Sequence, residues 1–357
     1  MSPARPLFVG DPAPWFIQRC TTPFGTYSFD MAAGRHIVLF FFASSADPAV
    51  AAALETVMRN RAIMDGTNCH FFGISTDPAD EARLHETLPG IRFFRDDDRK
   101  VTDLYGLSPG DVPRWFIIDP MLRVSATWTD GPGVAQRMMD LLCRLPPVTT
   151  RPPGIPVPAL MLPDVFEPEF CQRLIAYYAA QETRQSGVFT ERQPGQSLSV
   201  TDLGFKRRRD CTLADRTLVG QVQARIIRRV APEIRKVFQF NATQMERLIL
   251  ACYDSSDRGC FGAHRDNTVA AAAHRRFAVS INLNDDFEGG ELSFPEFGGP
   301  GFRPPAGGAL IFSCGLLHAV APVTRGRRFA CLPFIYDDAA AALKKANRAA
   351  AARTEIA

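Results

Sequence analysis

The chain has 357 residues and a mass of 39.4 kDa, which exceeds the usual size of one compact domain and favours two. Hydrophobic residues make up 46% and charged residues 22%, values that exclude a disordered or fibrous protein. The net charge of +3 is too small to indicate nucleic-acid binding, and no apolar run approaches the roughly 20 residues that span a bilayer.

Cysteine usage indicates a reducing compartment. Nine cysteines are scattered along the chain without CxxC or zinc-like spacing. The N-terminal residues contain no apolar segment behind a basic start, so no secretory signal is visible. We therefore expect a cytoplasmic protein with reduced thiols and no membrane contact.

Proline marks one clear boundary in the composition. Residues 144–160 read RLPPVTTRPPGIPVPAL, which can form neither a helix nor a central strand and behaves as a semi-rigid linker. We predict a first domain at residues 1–145, a Pro-rich linker at 146–157 and a second domain at 158–340. An Ala-rich, helix-prone tail is expected at 341–357.

The first domain alternates strand-like and helix-like segments. The predicted strands are HIVLFFFA from His36, CHFFGIST from Cys69, and a hairpin of RWFIIDP and RVSATW. The predicted helices are PAVAAALETVMRNRAIM from Pro48 and DEARLHETL from Asp80. Such alternation is typical of an α/β sheet with helices on its faces.

The second domain begins with helices and continues with strands. VFEPEFCQRLIAYYAAQ and RTLVGQVQARIIRRVAPEIRKVF are predicted as two amphipathic helices. The predicted strands are ERLILACYD, RRFAVSINLN, GGELSF, GGALIFS and RRFACLPFIYD. Many short strands separated by Gly, Pro, Asn and Asp suggest a double-sheet barrel or jelly roll.

Two polar features are assigned to the surface. The basic run Lys206–Arg209 is followed at once by Asp210, which predicts a solvated or ion-paired surface element. His274, in AAAHRRF, is predicted to be a surface histidine in preference to a second ligand or a substrate contact.

A candidate metal centre lies in the second domain. His264 and Asp266 are two residues apart, so on a strand both side chains project from the same face. His318, just after the apolar segment GGALIFSCGLL, is the candidate third ligand. Two histidines and one carboxylate form a facial triad, which leaves about three open positions on iron(II) for a bidentate keto acid and dioxygen.

An arginine supports this interpretation. Arg328 follows His318 by ten residues (328 − 318 = 10), on a strand expected to run back beside the ligand strand. Its guanidinium can clamp the distal carboxylate of a keto acid through two parallel hydrogen bonds. Arg325 and Arg327 are alternatives, although alternation along a strand sends neighbours to the other face.

The segments HRD, GGELSFPEFG and GGALIFSCGLLHAVAPVTRGRR resemble the prolyl 4-hydroxylase-like group of iron(II)- and 2-oxoglutarate-dependent oxygenases, over about residues 158–338. The resemblance implies an α+β domain with a double-stranded β-helix (jelly-roll) core. It also implies iron bound by His264, Asp266 and His318, and the C5 carboxylate of 2-oxoglutarate bound by Arg328. Dioxygen would be consumed, succinate and CO2 released and an unactivated C–H bond hydroxylated, with ascorbate as a candidate activator.

The same resemblance suggests three further positions. Tyr253 takes the place of a tyrosine near the cosubstrate, although a role in the core alone is the alternative. Asn282 stands where relatives often have another polar or tyrosyl contact. Phe261 stands where many relatives carry a second tyrosine, so a hydroxyl contact is expected to be missing there.

In the first domain, GDPAPWF, HIVLFFFASSADPAVAAALE, FFGISTD and VPRWFIIDP resemble the thioredoxin fold in its peroxiredoxin form, over about residues 7–145. At the position of the peroxidatic cysteine, the stretch Asp47-Pro48-Ala49-Val50 ends in an alkyl side chain, so no thiolate can form there. The place of the activating arginine falls on Pro113 or Arg114.

The thiols considered in this domain are Cys20, interpreted as a loop residue, and Cys69, interpreted as a buried strand residue. We therefore expect no peroxidase. A domain that positions substrate, mediates dimer contacts or docks a partner is the expectation, because a fold alone does not determine function.

The leading hypothesis is a 2-oxoglutarate-dependent dioxygenase that acts on an amino-acid, peptidyl (prolyl by family resemblance) or small-molecule substrate. The alternatives are a thiol-dependent peroxide reductase or redox sensor, and a non-catalytic binding module. The loops between Arg184 and Lys206 and around residues 296–303 are expected to select the substrate, but they carry no motif that identifies it.

Overall fold

The computed structural model describes residues 6–148, 156–193, 196–246 and 248–354. The chain divides into two compact units, Met1–Pro156 and Val157–Ala357, the short segment Pro295–Gly299 excepted. Most of the predicted linker, residues 149–155, lies outside the described residues. In the described part of the chain, no helix is both long enough and apolar enough to cross a membrane.

The first unit contains one mixed sheet and three α-helices. Its strands are β1 (Ile17–Arg19), β2 (Thr26–Ser28), β3 (His36–Phe42), β4 (Cys69–Ser75), β5 (Ile91–Arg95), β6 (Arg114–Ile118) and β7 (Val124–Thr129). Its helices are α1 (Pro48–Arg59), α2 (Lys100–Leu104) and α3 (Val134–Arg144). The main sheet has the order β5-β4-β3-β6-β7, in which β3, β4 and β5 are parallel and β6 and β7 antiparallel.

Strand β3 is the centre of this sheet because its residues are apolar on both faces. Six of its seven residues, Ile37–Phe42, are buried, as expected of a strand covered on both sides. On one face Phe40 stacks on Trp115 with ring centroids 3.7 Å apart, next to apolar residues of α1 and α3. Helix α1 begins where the Asp47 carboxylate accepts hydrogen bonds from the first-turn amides of Ala49 and Val50.

The helix predicted from Asp80 to Leu88 is wrong. Only a single 3₁₀ turn forms there, at Pro78–Glu81. The Asp80 carboxylate accepts hydrogen bonds from the backbone of Ser45 and the hydroxyl of Ser75, which hold it against the sheet. Leu88 precedes Pro89, a position that disfavours helical backbone angles, so the segment cannot propagate as a helix.

The second unit contains seventeen described strands and four α-helices. The strands are β8 (Ala159–Leu162), β9 (Arg184–Gln185), β10 (Val188–Gln193), β11 (Gln196–Val200), β12 (Lys206–Arg207), β13 (Arg209–Thr212), β14 (Gln244–Glu246), β15 (Ile249–Asp254), β16 (Cys260–His264), β17 (Phe277–Asn282), β18 (Glu288–Gly289), β19 (Leu292–Ser293), β20 (Ala309–Ser313), β21 (His318–Val320), β22 (Val323–Arg325), β23 (Arg327–Cys331) and β24 (Phe334–Tyr336). The helices are α4 (Pro168–Ala179), α5 (Arg216–Arg229), α6 (Ala231–Phe238) and α7 (Asp338–Thr354).

These strands form two antiparallel sheets of unequal size. The large sheet has the order β14-β24-β17-β23-β15-β13-β9, with β20 paired to β17 and β8 to β20. The small sheet has the order β12-β16-β21-β19, and β10-β11 and β18-β22 form separate two-stranded ribbons. The predicted segment GGELSF therefore contributes to two structures, since β18 pairs with β22 and β19 with β21.

Three helices of this unit, α4, α5 and α6, cover one face of the large sheet. Leu174 of α4, Ile226 of α5 and Ile234 of α6 pack in one apolar core with Leu250 of β15 and Val279 of β17. Because side chains alternate along a strand, the neighbours of these strand residues project from the opposite face. That opposite face carries the polar residues described below.

The second predicted amphipathic helix, from Arg216 to Phe238, is interrupted. Helix α5 ends at Arg229 and α6 begins at Ala231, with Val230 between them at φ −103° and ψ −49°. Pro232 lies in the first turn of α6, where a missing amide hydrogen is tolerated, whereas inside one continuous helix it would remove a hydrogen bond. The proline therefore sets the break.

Candidate metal centre and its cavity

The three predicted metal ligands meet between two strands of the small sheet. His264 ends β16, His318 begins β21, and the antiparallel register places these two residues directly opposite each other. Asp266 follows two residues after His264, and its backbone amide donates to the carbonyl of Cys314 at 3.0 Å. Strand pairing thus brings together residues that are 54 positions apart (318 − 264 = 54).

The ligand atoms converge on one point. One ligand atom from each of the three side chains lies within 4.8 Å of the other two. The Asp266 carboxylate is 3.6 Å from Nε2 of His264 and 3.4 Å from Nε2 of His318. Two imidazoles and a carboxylate at these separations match the donor set of a non-haem iron(II) centre.

Hydrogen bonds to the backbone determine which imidazole nitrogens are available. Nδ1 of His264 lies 2.8 Å from the carbonyl of Gly262, and Nδ1 of His318 lies 3.0 Å from the carbonyl of Leu316. A carbonyl only accepts, so both Nδ1 atoms carry the proton and both Nε2 atoms present a lone pair toward Asp266. This tautomer is the one that binds a metal through Nε2.

The protonation states also suit a metal. Burial lowers the pKa of His318 to about 4, so this imidazole is neutral near neutral pH. Burial alone would raise the pKa of the Asp266 carboxyl, but its polar surroundings, which include the charged Arg275, outweigh burial and hold that pKa well below its ordinary value. The three side chains fit a divalent iron ion in donor type, direction and charge.

Arg328 lies on β23, buried on the cavity side of the large sheet. Its Nε donates to Oδ1 of Asn282 at 3.0 Å and its Nη2 to the hydroxyl of Ser280 at 2.9 Å. Within the described part of the chain no carboxylate forms an ion pair with it, and burial lowers its pKa. A buried guanidinium held by two neutral acceptors is suited to an anionic ligand.

The two alternative arginines do not reach this cavity. Arg325 is exposed and pairs with Glu288 at 2.7 Å. Arg327 is also exposed and lies over the ring of Phe329. Of the three arginines only Arg328 lines the cavity, although its role as the clamp stays a prediction.

The positions suggested by family resemblance occupy different places. Tyr253 lines the cavity, and its hydroxyl accepts a hydrogen bond from Nη1 of Arg208 at 3.2 Å. Asn282 is fully buried behind Arg328, with its amide nitrogen donating to the carbonyl of Pro304 at 2.7 Å, so it supports the guanidinium from behind. Phe261 stacks on the imidazole of His264 with centroids 3.5 Å apart and adds no hydroxyl.

The cavity lies between the two sheets of the second unit. The small sheet contributes His264 and His318, and the large sheet contributes Tyr253, Ser280 and Arg328. Most of the remaining wall is apolar, including side chains of residues 278, 292, 312, 320 and 334. An apolar chamber with a few convergent polar groups is the usual form of a small-molecule site.

The prediction of a solvated or ion-paired surface element at Lys206–Arg209 is confirmed for the ion pair of Arg208 with Asp210, but it is wrong about surface exposure for two residues. Lys206 and Arg208 are buried, because the chain alternates in and out as it passes from β12 to β13. Nζ of Lys206 donates to the carbonyl of Gly187 and lies 4.3 Å from the ring centre of Phe261. Because the four basic residues are consecutive, the sequence does not show which of them face inward; the pairing of β12 with β16 and of β13 with β15 determines that.

His274 is buried, so its prediction as a surface histidine is also wrong. Its Nε2 is 2.9 Å from the Glu246 carboxylate, which is also approached by Arg275 at 3.0 Å and by Lys344. Arg275 in turn donates to the backbone carbonyl of Asp266 at 3.3 Å. These contacts hold the loop that follows Asp266 in place, and they leave His274 outside the group of candidate metal ligands.

The first unit has no thiol at the position where a peroxiredoxin would react. Val50 is 1% exposed and packs in the core on α1. Arg114 is engaged by β7, donating to the hydroxyls of Thr127 and Thr129. Burial raises the pKa of both Cys20 and Cys69 to about 12, which keeps these thiols protonated. Cys143, a third thiol that the sequence analysis overlooked, is exposed on α3.

Comparisons with known proteins agree with this two-part organisation. Residues 9–127 match the AhpC/TSA family model. A PKHD-type hydroxylase of Synechococcus sp. is 27% identical over 128 residues, covering 32% of this chain and 56% of the relative. A PKHD-type hydroxylase of Nitrosomonas europaea is 32% identical over 112 residues, covering 28% of this chain and 49% of the relative. The chain thus spans about half the length of these curated relatives.

Among solved structures, a prolyl hydroxylase from Trichoplax adhaerens, in complex with a hypoxia-inducible-factor peptide fragment, is 17% identical with a TM-score of 0.41. It covers 52% of this chain and 86% of its own. The expected combination of a thioredoxin-like segment with a hydroxylase-like segment is confirmed by the family model and the curated relatives.

Proposed function

We propose that this protein is an iron(II)- and 2-oxoglutarate-dependent dioxygenase that hydroxylates an unactivated C–H bond and releases succinate and CO2. One observation carries the proposal. Two histidine Nε2 atoms and one carboxylate converge in a cavity whose opposite wall presents a buried guanidinium without a carboxylate partner among the described residues. The similarity to PKHD-type hydroxylases supports it.

The roles of the residues follow from their positions. His264, Asp266 and His318 would hold the iron ion, and the imidazole orientation is set by the backbone carbonyls that fix both Nδ1 protons. Arg328 would bind the distal carboxylate of 2-oxoglutarate, with Asn282 keeping its guanidinium in place. When bound, the iron ion supplies oxygen activation, while the chain orients the keto acid and excludes water.

The fold assignment belongs to the same proposal. We assign the two facing sheets of the second unit, with the metal centre at one end of β16 and β21, to the double-stranded β-helix core of this oxygenase group. We further propose that residues 158–340 carry the catalytic function, with dioxygen and 2-oxoglutarate as co-reactants and ascorbate as an activator. The oxidised substrate is an amino acid, a peptide such as a prolyl peptide, or another small molecule.

For the first unit we propose a supporting role in substrate positioning, dimer contacts or partner docking. The cysteine pKa values raised by burial at Cys20 and Cys69 and the alkyl side chain at Val50 argue against a peroxide reductase. Peroxide consumption by the purified protein, lost in a Cys143→Ser variant, would overturn this part of the proposal.

The metal site is tested by spectroscopy of the whole protein. Without oxygen, iron(II) and 2-oxoglutarate should together give a weak visible metal-to-ligand charge-transfer band in the wild type. The band should vanish in His264→Ala and persist in His85→Ala, which changes an exposed histidine of the first unit. Absence of the band in folded wild-type protein would refute the proposal.

A further inference from the structure

Arg208 is a second buried arginine on the cavity wall. It lies between β12 and β13 and is 5% exposed. The Asp210 carboxylate accepts from its Nε at 2.7 Å and from its Nη2 at 2.8 Å, and Nη2 also donates to the hydroxyl of Ser186 at 3.1 Å. This two-point ion pair fixes the plane of the guanidinium and leaves Nη1 pointing toward Tyr253.

The contact with Tyr253 has a defined direction. Nη1 of Arg208 lies 3.2 Å from the Tyr253 hydroxyl oxygen. A guanidinium has no acceptor, so the phenol oxygen must accept this hydrogen bond and the phenol proton must point elsewhere. No described residue accepts that proton, and the Tyr253 side chain faces the cavity with 2% of its surface exposed.

The same hydroxyl lies on the side of the cavity that holds Arg328. Tyr253 and Arg328 are opposite each other in the β15–β23 register, and the guanidinium carbon of Arg328 is 5.3 Å from the tyrosine ring centre. Asp266 is the single acidic residue among the described residues that line the cavity. An anion bound by Arg328 would therefore meet the Tyr253 hydroxyl on a described cavity wall whose one carboxylate is that of the candidate metal ligand Asp266.

We propose that Arg208 is a positioning residue that orients the Tyr253 hydroxyl as a hydrogen-bond donor to the distal carboxylate of 2-oxoglutarate. The inference rests on the proposed function and adds a residue to it. Arg208 touches neither the carboxylate nor the metal, and it acts only through the phenol. Asp210 and Ser186 serve this arrangement by preventing the guanidinium from turning toward the cavity itself.

The test is a double-mutant cycle on cosubstrate binding, which separates an indirect role from a direct one. The affinity for 2-oxoglutarate is measured by calorimetry on the manganese(II)-loaded protein for wild type, Arg208→Lys, Tyr253→Phe and the double variant. Lysine keeps the positive charge beside Asp210, but one ammonium cannot hold both that carboxylate and the phenol. Arg209→Lys, at the exposed neighbouring position, is the matched control.

Each single variant should weaken 2-oxoglutarate binding about tenfold, as expected for loss of one hydrogen bond to a charged group. The double variant should be weaker than either single variant by no more than about twofold, because both changes remove the same interaction. Binding of 2-oxobutanoate, which lacks the distal carboxylate, should be unchanged in all of them.

Additive losses in the double variant, or an equal loss for 2-oxobutanoate, would mean that Arg208 contacts a ligand directly and would overturn the inference. If Arg208→Lys does not fold, wild-type-like binding of 2-oxoglutarate by Tyr253→Phe overturns it equally. A wild-type protein that binds no 2-oxoglutarate with manganese(II) would instead refute the proposed function, so the two failures are distinguishable.

Discussion

Replacing Arg328 with glutamine should abolish 2-oxoglutarate binding while leaving the ligand-free protein nearly as stable as the wild type. The guanidinium is buried and has no acidic partner among the described residues, so in the ligand-free protein it carries a desolvation cost. Glutamine removes that cost but gives up hydrogen bonds to Ser280 and Asn282, each worth about 1 kcal/mol. These terms oppose each other, and we expect a net change within about 1 kcal/mol.

The effect on binding is much larger. Removing one partner of a buried charge pair costs about 3–5 kcal/mol, which corresponds to about two to four orders of magnitude in the dissociation constant. With 2-oxoglutarate at about 100 times its wild-type dissociation constant, ligand binding stabilises the wild type by about 2.7 kcal/mol. At the same concentration the variant should gain less than about 0.5 kcal/mol.

Thermal unfolding with and without 2-oxoglutarate, in the presence of manganese(II), measures both quantities at once. For a unit of about 200 residues, 1 kcal/mol corresponds to about 2–4 °C. Arg327→Gln, on the exposed face of the same strand, is the matched control and should keep the full ligand-induced shift. The reasoning is refuted if Arg328→Gln retains the shift, if Arg327→Gln loses it, or if ligand-free Arg328→Gln unfolds many degrees lower.

Three further predictions concern other parts of the molecule. The cations around Glu246 lower the pKa of its carboxyl to about 2, although burial opposes this. The carboxylate therefore contributes fully to stability above its ordinary pKa of 4.5, and this contribution is lost as the pH falls toward 2. Glu246→Gln should therefore reduce the difference in melting temperature between pH 5 and pH 3. Val50→Cys should yield a thiol that neither consumes peroxide nor reacts with thiol reagents in the folded protein, because position 50 is buried in an apolar core; rapid modification would contradict this. Ile226→Ala should cost about 2–5 kcal/mol in urea unfolding, whereas Ile227→Ala, at an exposed position of the same helix, should cost little; equal losses would refute the assigned helix face.

The convergence of His264, Asp266 and His318 could be predicted from the sequence because it is encoded in their spacing. A separation of two positions between His264 and Asp266 suffices to place both on one side of the chain, and an apolar segment before His318 marks the next strand. The strands β3, β4 and β17 could also be predicted from the sequence, since largely apolar runs of that length are typical of buried strands.

The errors arose where tertiary contacts override local patterns. Arg208 and His274 carry polar side chains that a local reading places in solvent, but both are buried. For Arg208, whose partner Asp210 is only two residues away, the burial follows from the pairing of β12 with β16 and of β13 with β15. For His274, the partner Glu246 lies 28 residues earlier in the chain (274 − 246 = 28). The helix expected from Asp80 failed because that carboxylate binds the backbone of Ser45, 35 residues earlier in the chain. No local property of these residues reports such distant partners.

The pairing of His264 with His318 has a further consequence for the chain between them. An ion held by both side chains would act as a non-covalent cross-link that closes a loop of 54 residues (318 − 264 = 54). Closing a flexible loop of that length costs about 3.5 kcal/mol of chain entropy, which the ion would remove from the unfolded ensemble. Removing the ion with a chelator should therefore increase local unfolding of residues 264–318 before that of the rest of the second unit. Faster amide hydrogen exchange in β17 would be the first sign. Since β17 carries Ser280 and Asn282, which hold Arg328, the proposed binding of the keto acid and of the ion would both depend on the same closed loop.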